Sequence, residues 1–589
     1  MLPKSLFKSC DEDISKLSIY SICEQLEPRN IDVLKNQNVS QTLFESLKDP
    51  ATEKVELKTI LDLIMQSGIQ LDDPRIMPFI KKLNKVRSGP KNVGFMQNFS
   101  MEYEEFEEYI KDSISIMVKI VTNDFCIPRF VDFSKEITEI FESCAKINDG
   151  ENAAYIPQLA DVNSDYWGCA ICTADGQKIL LGDATVPFTI QSTSKPLCYA
   201  LAITESGSEE VHKYVGYEPS GHKFNSVILN SDNKPHNPLI NSGAIAVVSL
   251  LGRNLSLPQR FIHINKKLTN MAGGMPLGFN NAVYLSERST ADRNYSIAYY
   301  MREHNCFPPN TQLNEIMDLY FQLCSIESNC QAMSVIAATF ATGGINPITS
   351  RRELSGTAVR DTLSLMHSCG MYDYSGQFAF HVGVPAKSGV SGVIMAVIPN
   401  LMGIALYSPR IDINGNSTRG LEFCRELVRR FVFHNYDSLL HSVAKNDPRK
   451  TVHDDVTHAV VRLHFAAKQN DIGELRRCYI SEIDFDTCDY DGRTALHIAA
   501  TNGAYEAVRF CLEIAKVNPA PLDMWNNTPL DNAVAFKHEN IVQLIQNFMA
   551  NVGYDKKKIS SNETITSGVS SDFEAFTTGQ NEIISKQID

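Results

Sequence analysis

The sequence predicts an α+β protein: a mixed domain whose antiparallel sheet is assembled from both of its ends, preceded by a helical domain and followed by a helical repeat array. Three observations predict this. Strand-like runs bounded by turn residues occur at 166–181 and 390–407, with helical stretches and glycine-rich loops between them. Ahead of them, apolar residues recur at i, i+3, i+4 spacing. Behind them, Leu463-His464-Phe465-Ala466-Ala467 returns 33 residues later as Leu496-His497-Ile498-Ala499-Ala500. A chain of 589 residues is also too long for a single hydrophobic core. The expected segments are a disordered leader (1–41), a helical domain (42–135), the mixed domain (136–435), a linker (436–455), the repeats (456–550) and a disordered tail (551–589).

In the helical domain, Leu57, Ile60, Leu61, Ile64 and Met65 share one face and stop at Gly68, a helix terminator. Asp72 and Asp73 before Pro74 read as the cap and first turn of the next helix. No Asp/Asn-rich calcium loop joins these helices, so a bundle for packing or assembly is expected. In the mixed domain, Tyr166–Thr173 reads as a buried strand, Ala174-Asp175-Gly176-Gln177 as a hairpin turn and Lys178–Leu181 as the return strand. A second hairpin runs Val390–Ile398 and Leu401–Tyr407 around Pro399-Asn400, and Gly420–Phe433 reads as an amphipathic helix.

Thr494-Ala495-Leu496-His497 and Thr528-Pro529-Leu530-Asp531 carry the T-P-L-H type of signature, and Ala533 aligns with Ala499. The repeats therefore resemble ankyrin repeats, whose period is about 33. Beyond 551 the chain is rich in Ser, Thr and Lys and lacks apolar periodicity.

Composition excludes some functions. Residues are 43% hydrophobic and 21% charged, and the formal net charge is -14. Nucleic acid and anionic membrane surfaces need a basic footprint that this chain lacks. The most apolar stretch, Val390–Tyr407, is broken at Pro399-Asn400 and contains glycines, so no membrane span is expected. Fifteen scattered cysteines point to a reducing compartment. Cys169 and Cys172 form a C-x-x-C match, but on a strand they face opposite sides and suit neither a metal nor a redox pair. No His pairing suggests a metal site, and Asp412–Phe423 fails as a calcium loop because Ser417 and Phe423 stand where Gly and Glu are needed. The first twenty residues lack the apolar core of a secretory signal, and Asp11, Glu12 and Asp13 make a poor transit peptide, so the residues alone read as cytoplasmic.

Ser192-Thr193-Ser194-Lys195 is a Ser-x-x-Lys match, as are Ser88–Lys91, Ser231–Lys234 and Ser442–Lys445. Context separates Ser192, which follows a strand hairpin and opens a helical run. At i, i+3 the lysine amine reaches the serine hydroxyl. The positive helix N-terminus favours an alkoxide, and with burial it favours a neutral lysine able to act as base. Lys387-Ser388-Gly389, leading into the run at Val390, supplies the Lys-Ser/Thr-Gly edge strand that accompanies Ser-x-x-Lys in β-lactamase and penicillin-binding-protein-like hydrolases. Ser231-Asp232-Asn233 matches a third element of that set but reads as a decoy in a polar run.

The runs Tyr155-Ile156-Pro157-Gln158-Leu159-Ala160, Gln191-Ser192, Glu218-Pro219-Ser220-Gly221, Asn241-Ser242-Gly243-Ala244-Ile245, Ser286-Glu287-Arg288, Asp292-Arg293-Asn294 and His367–Asp373 resemble the glutaminase family, over residues 42–550 and closest to the animal kidney- and liver-type enzymes. The resemblance implies a β-lactamase-like catalytic domain hydrolysing L-glutamine to L-glutamate and ammonia. It gives Ser192 as nucleophile, Lys195 as base, Tyr372 as proton-transfer partner, and the backbone N–H groups of Ser192 and Val390 as oxyanion hole. Tyr155, Asn241, Glu287, Asn294 and Tyr320 would hold the substrate, in keeping with a carboxylate for the α-ammonium and neutral donors for the α-carboxylate. Glu218–Leu229 would be a gating loop, with Ser226 where the animal enzymes usually carry a basic residue. No metal or organic cofactor is implied, only phosphate as activator, together with a homotetramer, a protein partner at the ankyrin repeats and a mitochondrial location. The rival readings are a β-lactamase-like amidase acting on another substrate and an ankyrin scaffold carrying an inactive core.

Overall fold

A computed structural model describes residues 39–87, 99–437, 445–450, 452–480 and 483–551. The expected leader and tail lie outside the described residues, save 39–41, which open a helix, and Asn551, which ends one. The chain divides into two compact units, 1–451 and 452–589.

The first unit opens with α1 (Val39–Leu47), β1 (Val55–Glu56), α2 (Leu57–Gln66), α3 (Met77–Arg87), β2 (Ser100–Met101), α4 (Tyr103–Ile110) and α5 (Ile114–Thr122). β1 and β2 pair antiparallel, and Phe44, Phe79 and Phe106 sit in the core of this bundle. Leu57, Ile60 and Ile64 are buried as their spacing predicts, whereas Met65 is exposed. Gly68 follows the helix at φ +79°, and any Cβ there would strike the Phe130 ring. α3 begins later than Asp72-Asp73-Pro74 predicts. Both Asp73 carboxylate oxygens accept from the Arg75 guanidinium, and Oδ1 also accepts the Arg75 N–H, so Asp73 closes a turn instead of capping a helix.

The boundary expected after residue 135 needs correction, because it cuts α6 (Phe130–Cys144). The apolar face of α6, with Phe133, Ile137 and Ile140, packs with sheet residues such as Cys169 and Ile171. The mixed region then supplies β3 (Gly168–Thr173), β4 (Lys178–Gly182), β5 (Phe188–Thr189), β6 (Gly278–Phe279), β7 (Ile326–Ser328), β8 (Ala386–Gly389), β9 (Val393–Ile398) and β10 (Met402–Tyr407). Five of them form an antiparallel sheet in the order β4-β3-β10-β9-β8, and β5-β7-β6 form a smaller one. The large sheet thus joins strands from both ends of the region, as the sequence predicts.

One strand differs from expectation. The apolar run from Val390 is not continuous, because Gly392 at φ +93° turns the chain between β8 and β9. Lys387-Ser388-Gly389 is itself the edge strand, and Val390 lies in the turn after it.

Helices α7 (Ser194–Ser206), α8 (Asn241–Val248), α9 (Asn281–Ser289), α10 (Asp292–Glu303), α11 (Leu313–Cys324), α12 (Cys330–Ala341) and α13 (Thr418–Arg430) complete the parts that build the site. α13 starts two residues ahead of the predicted Gly420, where the Ser417 hydroxyl accepts the Gly420 N–H, and it ends at Arg430, before the predicted Phe433, with Phe431 extended. The sheet is buried on both faces. Ala170, Met395 and Ala405 share a core with α7 and α12, while Ile171, Ile394 and Ile404 share the other with α6 and α13. Cys169 and Cys172 accordingly lie in different clusters on opposite faces. β10 presses so closely on α12 that a Cβ on Gly403 would lie 2.1 Å from the Ala338 nitrogen.

In the second unit, taken by itself, α14 (Val452–Gln469), α15 (Ile472–Ile480), α16 (Ala495–Thr501), α17 (Tyr505–Arg509), α18 (Pro529–Ala535) and α19 (Glu539–Asn551) stack around Leu463, Leu496, Ala499, Leu530 and Ala533. The repeat signature has a structural reason. Buried His497 takes part in the Thr494 cap and its Nε2 lies 3.1 Å from the Asn527 carbonyl in the next repeat, while Asp531 takes the capping place one repeat on.

Replacing Gly403 by Ala is expected to destabilise the first unit by about 2 kcal/mol or more through overpacking. Gly376→Ala, in open space on a helix, should be neutral or slightly stabilising. Urea midpoints followed by fluorescence of buried Trp167 check this, and equal midpoints for the two variants would contradict the packing argument.

Candidate active site

The chain reaches the site through β5, which ends at Thr189. Gln191 then takes φ +47°, unusual for a residue with a side chain, and a 3₁₀ turn over Gln191–Thr193 leads into α7. Thr193 Oγ1 donates to the Ile190 carbonyl and Ser194 Oγ to the Gln191 carbonyl, which fixes the turn and leaves Ser192 at its crest. Lys195 follows one turn later and is buried, as is most of the first three turns of α7.

Lys195 Nζ donates to Ser192 Oγ at 3.1 Å and to Asn241 Oδ1 at 2.7 Å. Asn241, the first residue of α8, donates in turn to Asn294 Oδ1 at 2.9 Å. Burial pushes the Lys195 amine down to about 8, although Cys324 and Glu287 pull it upward. It is therefore partly neutral near physiological pH, the state a base needs.

Opposite this row, Tyr155 Oη donates to Glu287 Oε1 at 2.6 Å. Burial raises the Glu287 carboxyl, while Tyr155, Gln191 and Lys195 oppose the rise. Tyr320 and Cys324 share a face of α11 at i, i+4, and burial raises both, with Glu287 adding to the effect. Tyr372, at φ +52°, is half-buried with its hydroxyl oxygen enclosed; that hydroxyl makes no hydrogen bond of regular geometry yet feels the Ser192 hydroxyl and the Val390 N–H, which partly offset the rise that burial causes. The arrangement places a hydroxyl, a partly neutral amine, a protonated phenol and a buried carboxylate around one small space.

All nine sequence-predicted positions, Tyr155, Ser192, Lys195, Asn241, Glu287, Asn294, Tyr320, Tyr372 and Val390, fall within this linked set of contacts. Ser231-Asp232-Asn233 does not: it forms a polar turn closed by Asn230. Lys234 of the Ser231–Lys234 match donates to the His212 carbonyl, and the Ser88–Lys91 and Ser442–Lys445 matches lie outside the described residues at one or both ends. Sequence reasoning gave no individual site role to Gln191, Phe224 or Cys324, and took Lys387 only as the head of the Lys-Ser-Gly element. Phe224 packs 4.9 Å from the Tyr372 ring, and its carbonyl accepts the Asn241 N–H. Lys387 is fully buried, sits 4.3 Å over the Tyr372 ring and donates to the Ser388 carbonyl; burial and then Lys195 drive its amine far down. The i, i+4 spacing of Tyr320 and Cys324 was the available signal for Cys324, and the Lys-Ser-Gly strand for Lys387.

The chain is similar to known proteins over most of its length. The glutaminase family model matches residues 150–436, an EF-hand domain model 39–128 and an ankyrin-repeat model of three copies 463–556. The mitochondrial liver isoform of glutaminase from Rattus norvegicus is 45% identical over 84% of this chain and 82% of its own. A glutaminase from the cyanobacterium Nostoc is 41% identical over 52% of this chain and 90% of its own. A solved structure titled Mglu in its native form is 36% identical with a TM-score of 0.48, covering 51% of this chain and 72% of that one.

The EF-hand match implies calcium, but the residues do not fit it. Counting from Asp49 after α1, the sixth loop position is Lys54 and the twelfth is Ile60, buried in the bundle core, where calcium loops need Gly and a bidentate Glu. Asp49 Oδ1 instead accepts the backbone N–H groups of Ala51 and Thr52. This loop therefore lacks the ligands of a calcium loop, while the short β1–β2 pairing is present. With sequence likeness running through most of its length and through all three regions, the chain belongs to the glutaminase family.

Proposed function

We propose that the chain hydrolyses L-glutamine to L-glutamate and ammonia through an acyl-enzyme on Ser192. The observation that carries this is the 3.1 Å contact between buried Lys195 Nζ and Ser192 Oγ in a chain of the glutaminase family. The neutral fraction of Lys195 takes the Ser192 proton as Oγ attacks the side-chain amide carbon. The backbone N–H groups of Ser192 and Val390 receive the developing oxyanion. Burial keeps the Tyr372 hydroxyl protonated, so it can relay the proton from Lys195 to the departing nitrogen. Ammonia leaves, and water cleaves the glutamyl ester with the same groups working in reverse.

Specificity comes from the surrounding set. Glu287, held by Tyr155, pairs with the α-ammonium, while Asn241, Asn294 and Tyr320 serve the α-carboxylate and the amide. Phe224 ties the 218–229 segment to Tyr372 and Asn241, which supports its role as the gate. The chemistry draws on no metal or organic cofactor. Phosphate as activator, a homotetramer, a protein partner at the ankyrin repeats and mitochondrial residence complete the reading by family likeness.

Ser192→Ala is expected to lower ammonia release from glutamine by about 10³-fold or more at unchanged circular dichroism; equal rates in variant and wild type would sink the mechanism. Because Lys195 must be neutral to accept a proton and its amine is lowered to about 8, kcat/KM should fall roughly tenfold per pH unit below about 8 and level off above it. A flat profile between pH 6 and 9 would exclude Lys195 as the base. Glu287→Gln should raise KM for glutamine by about 100-fold or more, since it removes a buried charge partner of the α-ammonium, with steady-state kinetics as the check.

A further inference from the structure

Behind the turn that carries Val390 lies a second cavity, of about 380 Å³, within the usual range for small-molecule sites. Ser192, Lys195 and Glu287 do not line it. Its apolar wall is aromatic: Phe188 stacks on Tyr407 at 4.5 Å, and Tyr166 lies tilted against the same ring. Asp161 and Glu327 also line it, and no Lys, Arg or His does. Glu327 Oε1 is held by the Asn280 amide at 2.9 Å. Two further lining residues carry buried polar atoms without a partner, Gln158 Oε1 and Ser391 Oγ. Buried acceptors left unpaired cost free energy that a donor ligand would recover.

We propose that this cavity binds a small primary ammonium bearing an aromatic or branched apolar tail, and that its occupant modulates turnover. An ammonium meets carboxylates, unpaired acceptors and the faces of aromatic rings, and each of these favours a cation with N–H donors. The apolar tail fills the space along Phe188 and Tyr407. A carboxylate ligand of the same shape would face two like charges and no cationic partner. The coupling follows from the walls: one includes Val390 and Ser391, and the other is the 153–163 segment on which Tyr155 stands. An occupant therefore touches the neighbours of an oxyanion donor and of a substrate-binding hydroxyl without entering the substrate space; this coupling rests on the roles proposed above for Val390 and Tyr155.

The test is titration of the full-length protein with phenethylammonium by calorimetry, with 3-phenylpropionate as the probe of opposite charge. Expected are one saturable site per chain, not displaced by saturating glutamate, and no binding of 3-phenylpropionate. Glu327→Gln, which keeps an acceptor for Asn280 but loses the charge, and Val186→Trp, which fills the cavity, should each weaken binding at least tenfold. In wild type, phenethylammonium should change kcat at least twofold with a smaller change in KM. Absence of saturable binding, displacement by glutamate, or equal binding by wild type and both variants would overturn the site. Binding with unchanged kcat would overturn the coupling. Calorimetry needs no turnover, so a protein inactive on glutamine would refute the proposed reaction while the binding result stands independently.

Discussion

The organising constraint of the molecule is the burial of one amine. Lys195 lies on a helix that is buried over most of its length, and a lysine in that position cannot keep a full charge at its ordinary strength. Everything near it works within that limit. Asn241 and Ser192 give its nitrogen hydrogen-bond partners without adding charge, and Asn294 orients Asn241. Glu287 is close enough to temper the depression, and burial raises its own carboxyl while Tyr155, Gln191 and Lys195 oppose that rise. The result is an amine of intermediate strength held against a hydroxyl.

That environment needs a rigid frame, and the frame stores strain where the chemistry sits. Gln191 and Tyr372 both adopt left-handed backbone conformations that side chains rarely take. One immediately precedes Ser192, and the other holds a phenol near it. The strain persists because each position is locked by neighbours: the Thr193 and Ser194 hydroxyls pin the first turn, and Ser375 Oγ donates to the Tyr372 carbonyl in the second. Lys387 sets a second buried amine over the Tyr372 ring.

Much of this was legible in the sequence. Both hairpins follow from apolar runs and turn residues, and they pair into one sheet that β8 extends at its edge. The Ser-x-x-Lys spacing sufficed for the 3.1 Å contact because helical geometry places i and i+3 together. What was hidden depended on tertiary context. The split at Gly392 is invisible in a run whose apolar character continues through it, and the late start of α3 reflects a carboxylate captured by Arg75, a choice that local propensity does not encode. The boundary at 135 failed because α6 looks like a continuation of the bundle by periodicity, while its partners are strands that come later in the chain. Phe224 carries no motif of its own and is found by where the fold puts it, against Tyr372 and Asn241.

The order β4-β3-β10-β9-β8 also shapes how the protein comes into being. β3 pairs with β10 across roughly 230 residues of intervening chain, so during synthesis at 5–20 residues per second the first hairpin waits on the order of ten to fifty seconds for its neighbour. Throughout that interval one edge of β3 is a bare row of N–H and C=O groups above an apolar surface. The repeats that follow are built from contacts between adjacent segments and can close as soon as they emerge. The nascent chain is thus most exposed in its middle, and a holding factor acting on the growing polypeptide would find its natural substrate in the hairpin that starts the sheet.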